Sequence, residues 1–133
     1  MILVDSTVWI DYFRGTDTPQ VELLDGMFGR TPLAVGDLIV AEVLQGVQDD
    51  REFDLVRKTL DTFTQIDLAG HDIAVKAARN FRILRAKGIT VRKTIDTIIA
   101  TRCIADSLTL LHNDKDFIPF QLHLGLRVAY SET

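Results

Sequence analysis

Four carboxylates in this chain stand at positions where a soluble domain gains little from a charge. Asp5 follows the apolar run Ile2-Leu3-Val4 directly, and Asp114 follows Leu108 to Leu111 with only His112 and Asn113 between. Asp96 lies two residues after Thr94 at the start of an apolar stretch, and Glu42 is the only ionisable residue between Leu38 and Val47. Each has a plain structural use: Asp5 and Asp114 suit helix N-caps, and Asp96 complements a helix dipole. Glu42 fits that account least, because a charge facing only apolar neighbours forfeits its hydration. If the four converge they repel one another, and one must keep its proton unless a cation joins them. Oxygen donors without a soft ligand favour magnesium or manganese over zinc. The chemistry such a site performs is activation of water and stabilisation of charge on a phosphate in transfer.

The elements needed to bring them together are legible in the periodicity. Ile2 to Val4 read as a short strand, followed by a helix carrying Val8, Trp9, Tyr12 and Phe13 and stopped at Gly15. Thr18 before Pro19 predicts an N-cap and a helix running through Val21 and Leu24 toward Gly29. Leu33 to Val35 form a second strand, Gly36 and Asp37 open a helix to Val47, and another helix covers 51–63. A third strand is expected over Ile66 to Leu68, then a basic helix from Asp72 to Lys87, and a helix capped by Thr94. Leu108 to Leu111 and Leu126 to Ala129 give the fourth and fifth strands, with a helical stretch around Phe117 and Phe120 between them. Alternation of this kind predicts a parallel sheet sandwiched by helices, in one domain spanning 1–133.

In such a sheet the functional crevice lies beyond the carboxyl ends of the strands. Asp5 and Asp114 fall at two of those ends. A helix leading back into a parallel strand begins at the same edge, which brings Asp96 beside the crevice. Glu42 sits about 7 Å along its helix from Asp37, at ~1.5 Å per residue, and reaches the same cleft from below.

Composition narrows the field further. With 133 residues, 47% hydrophobic and 26% charged, the chain can bury a real core. One cysteine, Cys103, and three histidines exclude a Cys/His zinc cage, and Cys103 on an apolar helix stripe reads as core. There is no glycine-rich loop ending in Lys-Ser or Lys-Thr, and neither Ser6, Thr7 nor Cys103 has a His/Asp pattern to activate it. The opening MILVDSTVW does not read as a secretory signal and no apolar run approaches the ~18 residues of a membrane span, so a reducing, cytoplasmic setting is expected. The formal charge of -4 argues against a protein that simply coats nucleic acid. Its distribution says more: residues 1–50 carry nine acids against two bases, whereas no acid occurs between Ile73 and Ile95. Lys76, Arg79, Arg82, Arg85, Lys87, Arg92 and Lys93 make that strip a solvated helix face or a surface for phosphates. Arg92 and Lys93, just before the turn bearing Asp96, are the first candidates for phosphate contact, with Arg79, Arg82 and Arg85 farther out.

The residues resemble the PIN-domain ribonucleases, and within them the VapC-like toxins of type II toxin–antitoxin pairs. The resemblance rests on Ile2-Leu3-Val4-Asp5-Ser6-Thr7-Val8-Trp9-Ile10, Ile39-Val40-Ala41-Glu42-Val43-Leu44-Gln45-Gly46, Asp96 with Ile98-Ile99-Ala100, and Leu110-Leu111-His112-Asn113-Asp114-Lys115-Asp116-Phe117, in that order over nearly the whole chain. It implies a three-layer α/β/α sandwich around a central, mainly parallel five-stranded sheet. It also implies a Mg2+- or Mn2+-dependent endoribonuclease that leaves a 5'-phosphate and a 3'-hydroxyl. By position, Asp5 and Asp96 look like the principal metal ligands, Glu42 and Asp114 complete the acidic set with Asp114 also a ligand, Asp116 is an auxiliary acid, and Thr7 a hydroxyl that orients its neighbours. The family often has Thr or Ser where this chain has His112, which either helps position a phosphate or is a satisfied structural residue. The implied partners are an RNA substrate, a VapB-like antitoxin that blocks the cleft, and a second copy of the chain in a homodimer. Trp9, Tyr12 and Phe13 then belong either to the core or to a groove for an apolar antitoxin helix.

Two other readings make different demands. A phospho-acceptor receiver also groups acids around magnesium, but wants adjacent acids near the first strand and a lysine in the last loops, whereas Asp5 is followed by Ser6 and Thr7. A PIN-like module that binds RNA or protein without cutting would not need all four acids.

Overall fold

A computed structural model describes residues 1–130; the last three positions of the expected 1–133 domain lie outside the described residues. The chain runs β1 (Ile2–Val4), α1 (Ser6–Arg14), α2 (Pro19–Met27), β2 (Leu33–Gly36), α3 (Asp37–Gln45), α4 (Asp50–Asp61), β3 (Thr64–Ile66), α5 (His71–Ala86), α6 (Thr94–Asp106) and β4 (Thr109–Leu111). A 3-10 turn (Lys115–Phe117), α7 (Ile118–Leu124) and β5 (Arg127–Val128) follow. The strands lie in the order β3-β2-β1-β4-β5, and every neighbouring pair is parallel.

This order fixes the layers. The chain steps outward from β1 through β2 to β3, then crosses back to β4 and continues the other way to β5. Because parallel crossovers are right-handed, α1 to α4 cover one face and α5 to α7 the other. The packing agrees: α1 contacts α2 and α3, and α3 contacts α4, whereas α5 packs on α6 and α7. Whereas no residue of the edge strands β3 and β5 is fully buried, the three central strands, β2, β1 and β4, are short and mostly buried, and Leu3, Val4, Ala34, Val35, Leu110 and Leu111 have no exposed surface. That is the pattern of a sheet covered on both faces.

The chain leaves β1 toward β2 and leaves β4 toward β5, so the direction of winding reverses between two adjacent strands. Val4 pairs with Leu111 at the carboxyl end of both, and the Asp5 N–H donates to the Leu111 carbonyl at 2.9 Å. The crevice expected at such a reversal therefore opens above Asp5 and the segment after Leu111.

Trp9 is fully buried, stacks at 5.8 Å on Phe13 and meets the tilted Phe63 ring at 5.4 Å, while Tyr12 meets Phe28 edge-on at 5.5 Å. Trp9 is thus core, and Phe13, half-buried, also lines a groove with Ile10, Val43 and Val47. Two local expectations shift. The third strand ends at Ile66 rather than covering Ile66 to Leu68, because Gly36, the last residue of β2, pairs with Ile66. Leu68 is buried all the same: its N–H donates to the Asp37 carboxylate at 2.9 Å, and its side chain fills the space where a Cβ on Gly36 would stand. Helix α6 has Lys93 at its N-cap and Thr94 already inside the first turn, so no side chain caps that end.

Candidate active site

Asp5 is the N-cap of α1, so the plain structural reading of this residue holds as far as it goes. Its Oδ2 accepts the Thr7 N–H at 3.2 Å and the Thr7 hydroxyl at 2.7 Å. Yet Asp5 is only 2% exposed. Burial outweighs these hydrogen bonds and, with the charge of Glu42 added, pushes its pKa up to about 6. A helix cap at the surface does not carry that cost.

Asp96 occupies the first turn of α6 and is 5% exposed. Its Oδ2 is buried and meets no hydrogen-bond donor among the described residues. Its pKa is also raised to about 6, first by burial, then by the negative charges of Asp5 and Asp114, against the pull of Lys93. Glu42 reaches up from α3 and accepts the Ser6 hydroxyl at 3.3 Å. Burial raises its pKa, Ser6 opposes this, and the charge of Asp96 adds to it.

The segment after β4 is folded by side chains catching main-chain amides. The Asp114 N–H donates to His112 Nδ1 at 3.1 Å, and the Asp116 N–H donates to Asp114 Oδ1 at 2.9 Å. Between them the Asn113 N–H donates to the Thr7 hydroxyl at 3.1 Å. Asp114 thereby caps the 3-10 turn while remaining half-buried at the crevice. Asp96, Asp114 and Asp116 each offer an oxygen, and these oxygens all lie within 4.8 Å of one another.

The topology therefore gathers Asp5, Glu42, Asp96, Asp114 and Asp116 into one electrostatically coupled set. The tightest group pairs Asp96 and Asp114 with Asp116 rather than with Asp5. Asp5 remains the strongest neighbouring charge acting on Asp96. Asp116, expected as an auxiliary acid, stands two residues after Asp114, a spacing that one carboxylate can close by capping the other's amide. Ser6 donates its hydroxyl to Glu42. A cluster of hard oxygens with one buried, unpartnered carboxylate oxygen and no thiolate or imidazole among its members fits a divalent cation.

The basic residues divide. Arg92 is exposed and pairs with Asp116 at 3.2 Å, and Lys93 is close enough to pull on both Asp96 and Glu42. Both stand at the rim. Arg79, Arg82 and Arg85 project from α5 into solvent; Arg82 and Arg85 flank an apolar groove with Phe81 and Thr97 that runs to Thr94. Arg85 lies over the Phe81 ring at 5.6 Å. Cys103 is buried with its pKa raised to about 12, mainly by burial, which agrees with a core residue and excludes it as a nucleophile. No helix among the described residues is long and apolar enough to cross a membrane.

The PIN domain family profile matches residues 2–120. The chain is 31% identical over 121 residues to VapC ribonuclease Mb1587 of Mycobacterium bovis and to ribonuclease VapC11 of Mycobacterium tuberculosis, covering 88% of this chain and 89% of each relative. Among solved structures, VapBC-1 from nontypeable Haemophilus influenzae superposes with a TM-score of 0.73 at 16% identity, over 96% of both chains. A toxin–antitoxin complex from Klebsiella pneumoniae gives 0.67 at 24% identity, over 88% of this chain and 90% of that one.

Proposed function

This chain belongs to the PIN-domain family, among the VapC ribonucleases, and on that premise we propose that it is the endoribonuclease toxin of a type II toxin–antitoxin pair. One observation carries the reading: five acids from four separate stretches lie close to one another near the winding reversal, and the Asp96 carboxylate is buried there with an oxygen that no donor among the described residues satisfies. A fold retained only for binding would gain stability by replacing such a group.

Asp96, Asp114 and Asp116, with Asp5 beside them, would hold a divalent cation, magnesium or manganese. Bound there, such an ion would offset the acids, lower the pKa of a water and draw charge from the phosphate. The remaining work falls to the chain. Thr7 keeps the Asp5 carboxylate turned by its two donors, and Ser6 does the same for Glu42. Arg92 and Lys93 bind phosphates at the rim, with Arg79, Arg82 and Arg85 guiding the strand beyond. Water adds to phosphorus in line with the 3'-oxygen, the P–O3' bond breaks, and the leaving oxygen takes a proton, giving a 5'-phosphate and a 3'-hydroxyl.

We take residues 1–133 as one such domain acting in the cytoplasm, paired with a second copy and neutralised by a VapB-like antitoxin. The relatives are ribonucleases and several structural neighbours are VapBC or toxin–antitoxin complexes, which supports the pairing. The groove in which Ile10, Phe13, Val43 and Val47 lie beside Arg14, Asp49 and Glu52 would suit an amphipathic antitoxin segment, with an apolar side on the former and a polar side on the latter. The test is incubation of the purified chain with RNA, with Mg2+, with Mn2+ and with EDTA, followed by end mapping. Cleavage with either ion, lost with EDTA and in Asp96→Asn, supports the reading. Intact RNA with both ions sinks it in favour of a binding module, and acid-labile phosphate on Asp5 would instead favour the receiver.

A further inference from the structure

His112 is only 9% exposed, and its ring packs at 4.9 Å on Phe117. A residue placed there for packing alone would be apolar, because an imidazole brings two nitrogens that burial must satisfy. Here the two nitrogens fare differently. Nδ1 accepts the Asp114 N–H at 3.1 Å, so in the neutral ring the proton resides on Nε2. Nε2 is buried with no hydrogen-bond partner among the described residues, so its proton gives up hydration without a replacement.

We propose that His112 is a positioning residue for Asp114 and Asp116, retained for its Nδ1 acceptor. By holding the amide of residue 114 it closes the same two-residue loop that a Ser or Thr hydroxyl closes in other turns, and Asp114 repeats the pattern on Asp116. The two closures in series turn both carboxylates toward Asp96. The inference rests on the reading of those acids as cation ligands, and it adds a specific atom outside the ligand set on which the geometry of that set depends.

Two substitutions separate packing from positioning. Asn places Oδ1 where Nδ1 stands but gives up the ring; Phe keeps the ring but gives up the acceptor. Mn2+ affinity measured by calorimetry on the metal-free chain, beside the melting temperature, should therefore cross over. His112→Asn melts lower yet binds Mn2+ within about twofold of wild type, whereas His112→Phe retains its melting temperature and binds about tenfold more weakly or worse. Equal Mn2+ affinity in all three proteins overturns the proposal, as does equal loss in both variants. Recovery by His112→Gln, whose amide reaches the Nε2 position, without recovery by His112→Asn would assign the role to the wrong nitrogen and overturn it as well. Imidazole 15N spectra of the wild-type chain give a test that needs no variant: a proton on Nε2 supports the assignment, and a proton on Nδ1 refutes it. Wild-type chain that binds Mn2+ but leaves RNA intact would remove the nuclease reading while leaving the crossover to decide this one.

Discussion

The Thr7 hydroxyl lies 2.7 Å from Oδ2 of Asp5 and, on its other side, receives the N–H of Asn113 at 3.1 Å. One side chain therefore ties the carboxyl end of β1 to that of β4, across the line where the winding of the sheet reverses. It also explains how Asp5 stays oriented although burial disfavours its charge.

Removing that tie should be felt in activity more than in fold. Thr7→Ala leaves the Asn113 amide without its acceptor and Asp5 without its shorter hydrogen bond, at a stability cost of about 1–2 kcal/mol. RNA cleavage should fall by roughly tenfold or more, as for other groups that orient a ligand from behind. Thr7→Ser, which keeps the hydroxyl, should retain most of the rate. Equal activity in Thr7→Ala and wild type would show that Asp5 needs no such support.

The raised pKa of Asp5 predicts how the metal-free chain responds to pH. Its folded value of about 6 lies above the ordinary 3.8, so between these values the folded state holds more proton than the unfolded state. Stability without metal should then fall as pH rises through that window, with the full penalty above it. A shift of about two units corresponds to about 3 kcal/mol at ~1.4 kcal/mol per unit, which bounds the gain expected for Asp5→Asn at pH 7. Denaturant unfolding in EDTA at pH 4.5 and pH 7.5 measures this, and a variant no more stable than wild type at pH 7.5 would contradict it.

Divalent cation should reverse the same penalty. At pH 7.5 Mg2+ or Mn2+ should raise the melting temperature in proportion to the logarithm of its concentration, and less so at pH 5, where protons compete for Asp5 and Asp96. Asp96→Asn should abolish both the thermal response and cleavage. A response that persists in this variant would place the ion elsewhere.

RNA affinity should fall steeply with salt, because phosphate contacts at the rim release counterions. Arg92→Ala and Lys93→Ala should each shallow the dependence of log affinity on log salt by roughly 0.7, the single-strand value per contact, with little change in sequence preference. Part of the Arg92 effect will be offset, since Arg92 already pairs with Asp116. Unchanged binding in the double variant would remove both residues from the RNA path.

The core offers a structural check. Gly36→Ala sets a methyl group into the space held by the Leu68 side chain, and should destabilise the fold by about 1–3 kcal/mol. Restored stability in Gly36→Ala combined with Leu68→Ala would show that this contact is the cause.

Much of the architecture was legible in the chain itself. Alternating apolar runs and helical stripes located all five strands and the helices between them, because periodicity and the turn residues Gly15, Thr18 and Pro19 act over a few neighbours. The convergence of Asp5, Asp96, Glu42 and Asp114 also followed from the rule that parallel sheets gather strand ends at one edge. What local pattern could not decide was set by pairing across the sheet. Ile66 belongs to β3 and Leu68 to a loop because Gly36 has no side chain and pairs with Ile66, a relation between residues thirty positions apart. Asp116 joins Asp96 and Asp114 most closely because two consecutive capped turns swing it inward, and a string of residues does not disclose that rotation. The sequence thus determined which groups could meet. Their order of approach, and which oxygen is left buried without a donor, arise only when distant segments are packed, since burial and electrostatic coupling belong to the folded environment and not to any residue alone.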